Sequence, residues 1–112
     1  MTDAAAIREV LATYKKHGWI LRRVLLSERT EFDLSGSSAG IFGDVTILSS
    51  DIDAAWFSRP PSPGGVAWEI RFWGDPPFAL LENIDEQEPD FEDRLRDAET
   101  RLAQTIAAKK SA

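Results

Sequence analysis

Apolar residues recur along this chain with two different periods, and the switches between them outline its elements. Ile7, Val10, Leu11 and Tyr14 stand three or four residues apart in an otherwise polar run. That is the period of a helix with one buried stripe, and it predicts a helix over residues 4–17. Thr2 or Asp3 can cap its start. Lys15, Lys16 and His17 put positive charge on its last turn, where the helix dipole favours it. Gly18 can end it by taking a left-handed conformation.

From Trp19 the period shortens. Residues 19–27 read as a strand in which Trp19, Leu21 and Leu25 alternate with Ile20, Val24 and Leu26. Both faces are largely apolar, which suggests a central position in the sheet. Simple alternation sends the adjacent Arg22 and Arg23 to opposite faces. Residues 45–48 form a candidate edge strand. Residues 54–59 and 66–73 form a candidate antiparallel hairpin around the proline-rich segment 60–65. In its second arm, Val66, Trp68, Ile70 and Phe72 face one way and Ala67, Glu69, Arg71 and Trp73 the other. Residues 74–77 make a turn into a further strand at 78–84. The helical period returns with Phe91, Leu95, Ala98, Leu102 and Ile106, predicting a helix over 89–108 with Pro89 in its first turn and Lys109 and Lys110 at its close.

Residues 28–43 have no clear period. Residues 31–34 suggest a short strand, and the Ser/Gly run after them suggests a mobile connection. The whole order predicts one α+β domain, residues 1–112: an antiparallel sheet of four to five strands, flanked by an N-terminal and a C-terminal helix packed on one face, the face of Trp68.

Composition narrows the function classes. A 43% hydrophobic and 29% charged chain is ordinary for a globular protein. With no cysteine there is no disulfide, thiolate metal site or cysteine nucleophile. The N-terminal residues lack the basic-then-apolar pattern of a secretory leader, and no apolar run reaches membrane-spanning length. A cytoplasmic protein with no membrane contact is expected. The net charge of −6 is uneven: residues 1–30 carry six basic and three acidic residues, while residues 82–93 hold seven acidic residues and no basic one. An acidic chain is a poor general nucleic-acid binder.

Candidate chemistry is sparse. Gly36, Gly40 and Gly43 have neither phosphate-loop spacing nor a following Lys-Ser or Lys-Thr. Asp51 and Asp53 lack the further oxygen ligands of a calcium loop and suit a turn better. His17, the single histidine, sits where the dipole alone explains it, although Tyr14 lies one turn away. No cofactor or metal is expected, and no reaction is indicated.

The distribution of large aromatics is more informative. Trp19, Trp56, Trp68 and Trp73 all fall in strands. Trp56 and Phe57 point to opposite faces, so one of them shares the second face with Glu69, Arg71 and Trp73; Glu82, on the neighbouring strand, is expected to join them. Trp with Arg is typical of protein interfaces. The expectation is therefore a protein–protein interaction module that forms a homodimer through Trp56 or Phe57, Glu69, Arg71, Trp73 and Glu82. The alternatives are a small-molecule-binding protein or enzyme with a pocket between the sheet and residues 28–43, and a small acidic chaperone or adaptor.

Overall fold

A computed structural model describes residues 4–34, 38–59, 67–73 and 78–111, without the side chains of residues 38, 39, 110 and 111. The candidate cap at Thr2 or Asp3, the Ser/Gly run at 35–37, the proline-rich segment 60–65, Val66, the turn at 74–77 and the side chain of Lys110 lie outside what is described.

The first helix, α1 (Ala4–Lys16), ends as the sequence suggests. Gly18 takes φ +87°. The Gly18 N–H donates to the Lys15 carbonyl at 3.1 Å and the Trp19 N–H to the Tyr14 carbonyl at 2.9 Å. This is a Schellman cap, and its customary apolar contact is the edge-on meeting of Tyr14 and Trp19, 6.0 Å between ring centroids.

Five strands follow: β1 (Ile20–Leu26), β2 (Thr46–Ser49), β3 (Ala54–Ser58), β4 (Ala67–Phe72) and β5 (Phe78–Asn83). They form one sheet in the order β2-β1-β3-β4-β5, antiparallel except for the parallel pair β1–β2. The fold is α+β. The central strand is β3, and all five of its residues are buried.

The parallel pair explains residues 28–43. Parallel neighbours need a crossover long enough to return the chain to the same end of the sheet. Two short helices supply it: α2 (Glu28–Asp33) and α3 (Ser38–Phe42). The expected short strand at 31–34 is thus helical up to Asp33. Ser27 caps α2, its hydroxyl accepting from the Thr30 N–H. Asp53 secures the junction: the Ser27 N–H and the Thr30 hydroxyl donate to its carboxylate at 2.7 and 2.8 Å. Asp53 therefore shapes the backbone, as a turn aspartate does.

The two long helices lie on opposite faces of the sheet, which corrects the one-face arrangement expected above. Helix α4 (Phe91–Ser111) buries Leu95, Ala98, Leu102 and Ile106 against Leu25, Trp56, Trp68, Ile70 and Phe72. Ile7, Val10, Leu11 and Tyr14 of α1 pack on the other face, with Val24, Leu26, Ala55, Phe57 and Trp73; Leu34 and Phe42 from the crossover complete that layer. The physical reason is the apolarity of both faces of β1 and β3. One helix would have left Phe57 and Val24 in water, at about 1.5–3 kcal/mol for each such side chain. Pro89 also falls just outside α4, which begins at Phe91.

A bulge in β1 breaks the expected alternation. Leu21 pairs with Phe57 and Arg23 with Trp56, so Arg22 is the extra residue. Both arginines consequently reach the α4 side. The Arg22 guanidinium lies over the Trp68 ring at 4.8 Å and pairs with Glu86 at 2.8 Å. Arg23 lies over Phe91 and pairs with Glu92. The basic N-terminal third and the acidic segment 82–93 therefore meet in the fold through these arginines.

Candidate functional site

Strand parity places each of the singled-out residues. Trp56 is fully enclosed on the α4 side, and its indole Nε1–H donates to Glu99 Oε2 at 2.8 Å. Glu82 is also on that side, opposite Trp68, and pairs with Arg101 of α4. The α1 side receives Phe57, Glu69, Arg71 and Trp73. Glu82 is thus separated from Glu69 and Arg71 by the thickness of the sheet. Trp56 and Phe57 are both core residues with no surface to offer a partner. Trp73 is 9% exposed, stacked parallel on Phe42 at 5.5 Å, so the crossover covers it.

What stays accessible on the α1 side is the part beyond the reach of α1. Glu69 opposes Leu81 in the β4–β5 pairing, and Arg71 opposes Ala79. Leu81 is 64% exposed, the largest exposure of any large apolar strand side chain among the described residues. Sequence reasoning missed it, although the parity of β5 puts it beside Glu69.

Between the end of α1 and this surface lies an open hollow of about 350 Å³, lined by Thr13, Tyr14, His17, Trp19, Arg59 and Glu69. Each wall follows from local structure. The Schellman cap sets Trp19 beside Tyr14. Tyr14 stacks on Phe57, 4.0 Å between centroids, and its hydroxyl donates to Glu69 Oε2. Arg59 stands two residues after Phe57 on the same face, its N–H donating to the Ala67 carbonyl at 3.0 Å, and its guanidinium lies over the Trp19 ring at 5.3 Å. Arg59 was not singled out in the sequence; two-residue spacing from Phe57 was the available signal.

The electrostatics of the hollow argue against acid catalysis by Tyr14. Partial burial, then the hydrogen bond and charge of Glu69, push its pKa far above the usual tyrosine value, against a smaller opposing effect of Arg71. At neutral pH the phenol keeps its proton and donates a hydrogen bond to Glu69. His17 faces the same hollow, but Tyr14 is committed to Glu69 and not to His17. The Nε of Arg71 is buried with no hydrogen-bond partner among the described residues. Those residues hold no group of three or more His, Cys, Asp or Glu around one point. None of their helices is long and apolar enough to cross a membrane. The chain matches no protein-family model, no curated protein and no solved structure.

Proposed function

We propose that this protein is a protein–protein interaction module that self-associates, with β5 as the contact. The observation that supports this is the exposed Leu81 on an edge strand that lacks a bulge, proline and lysine. Edge strands of monomers are commonly blunted by shortness, bulges, proline or lysine. The opposite edge, β2, is four residues long. Strand β5 is six residues long, pairs with β4 without a bulge, and its sequence, Phe-Ala-Leu-Leu-Glu-Asn, has no proline or lysine.

The occupant that fits is a second copy. Antiparallel pairing of β5 with itself about a two-fold axis near Leu81 satisfies the free backbone groups of both strands at once and brings the two Leu81 side chains together. On the other face, a shallow groove of about 410 Å³ between β5 and α4, lined by Leu80, Arg101, Gln104, Thr105 and Ala108, lets the neighbouring α4 approach. This relocates the proposed contact from Trp73, which the crossover covers, to the strand beside Glu69 and Arg71.

The test is sedimentation velocity at about 100 µM, a concentration at which a micromolar dimer is nearly all associated. A dimer is expected for the wild type and a folded monomer for Leu81→Lys, with the same far-ultraviolet circular dichroism. A wild-type monomer at that concentration refutes the proposal.

A further inference from the structure

We infer that the hollow at the end of α1 binds a small zwitterion, an α-amino acid with a flat apolar side chain. Two charges of opposite sign, Glu69 and Arg59, line the same space, with Arg71 next to Glu69 along the same face of β4. Glu69 carries only the neutral Tyr14 hydroxyl, and Arg59 carries only the Trp19 ring; neither forms an ion pair among the described residues.

Their failure to pair with each other has a structural cause. Phe57 opposes Glu69 and Arg59 opposes Ala67, so Glu69 and Arg59 are diagonal neighbours on adjacent strands. The origins of such side chains lie about 7–8 Å apart, close enough for two long side chains to meet. Tyr14 instead draws the carboxylate toward α1, and Trp19 draws the guanidinium toward β1. The two charges are held apart with open space between them. A ligand carrying an ammonium group for Glu69 and a carboxylate for Arg59 fills that space and neutralises both. His17, at the rim, adds a second donor for the carboxylate. The aromatic walls, Tyr14 and Trp19, offer a flat side chain its apolar contact. The volume is at the lower end for ligand pockets, about 300–1,000 Å³, which restricts the occupant to a molecule of this size.

Leu81 stands opposite Glu69, so a lysine there would compete for the carboxylate, and binding is therefore read on the wild-type chain and on variants of Glu69 and Arg59 rather than on Leu81→Lys. The experiment is a titration of the full chain with L-phenylalanine, followed by backbone amide NMR. The one-charge analogues phenethylamine and 3-phenylpropionate serve as controls. Saturable shifts are expected at residues 13–19, 57–59 and 67–71, with millimolar affinity, and each analogue should bind at least about tenfold more weakly. Glu69→Gln, which still accepts from Tyr14, and Arg59→Met, an exposed change, should each keep a native spectrum and weaken binding about tenfold. No saturable shift up to about 50 mM overturns the inference, as does equal binding of either analogue or unaltered binding by both variants.

Discussion

Two tryptophans in the same core test how strictly buried polar atoms must be partnered. Trp56 and Trp68 meet edge-on at 6.2 Å, both within the layer under α4. Their indole nitrogens differ. Trp56 Nε1 donates to Glu99, whereas Trp68 Nε1 is buried with no partner among the described residues. Replacing either by phenylalanine removes a similar volume from one core, so the cavity and burial costs largely cancel in the comparison. Trp56→Phe also loses a hydrogen bond to a carboxylate, worth about 1.5–3 kcal/mol; Glu99 is only half-buried and can turn to water, which favours the lower figure. Trp68→Phe removes an unsatisfied donor and so returns about 1 kcal/mol. Against that gain, the smaller ring weakens the stacking of Arg22, by about 0.5 kcal/mol. The net expectation is that Trp56→Phe is the more destabilising by about 2 kcal/mol. Urea unfolding reads this directly: with m of about 1–3 kcal/mol per molar, the midpoints should differ by about 1 M with unchanged slopes. Equal midpoints, or a lower one for Trp68→Phe, would refute the reasoning.

The remaining predictions concern α1 and the two proposed contacts. Because the folded pKa of Tyr14 is raised above the ordinary 10.0, its contribution to stability is whole below that pH and declines as pH climbs toward the folded value. Tyr14→Phe should therefore flatten the fall in stability measured by denaturant titration above pH 10.0; an unchanged slope would count against the Glu69 bond. Gly18→Ala meets no atom within 4 Å but must hold φ +87°, so thermal unfolding should show a loss of about 1 kcal/mol with the fold retained. A neutral or stabilising Gly18→Ala would mean the cap is not left-handed. Leu81→Lys should yield a folded monomer, and L-phenylalanine should shift the residues around Tyr14, Arg59 and Glu69, as set out above.

The elements were largely legible in the sequence, because each carries its own local signal. The stripe from Ile7 to Tyr14 and the stop at Gly18 locate α1, and alternation from Trp68 to Phe72 locates β4 and its hairpin partner. The side of the sheet each helix takes was not legible. Parity says that Trp68 and Glu69 point apart, but it does not say which helix meets which face. The clue was present in β1 and β3, where Val24 and Leu25, like Ala55 and Trp56, are apolar on both sides. The Arg22 bulge carries no mark in composition, so the joint orientation of Arg22 and Arg23 could not be read. For the candidate site, Glu69 and Arg71 were correctly placed on one face, and Glu82 was misplaced because strand parity had not been carried across the turn into β5. Within residues 28–43 the helices were not legible, because α2 and α3 are too short to show a period and the need for a crossover arises only from β1 and β2 lying parallel.

The placement of α4 has a consequence for the order in which this protein can be completed. A ribosome makes α4 after all five strands, and chains fold as they emerge, at about 5–20 residues per second. The α1 face can be closed early, since α1, α2 and α3 all precede the hairpin. The opposite face, with Trp56, Trp68, Ile70 and Phe72, has no cover until the helix from Phe91 onward has been synthesised. For that interval of seconds the growing chain displays its two largest buried indoles to solvent or to any chaperone near the tunnel exit. The acidic stretch that separates β5 from α4 arrives just before the cover does. Its carboxylates find Arg22 and Arg23 waiting at the bulge, so charge attraction can begin to draw the last helix across the sheet before its apolar stripe is complete.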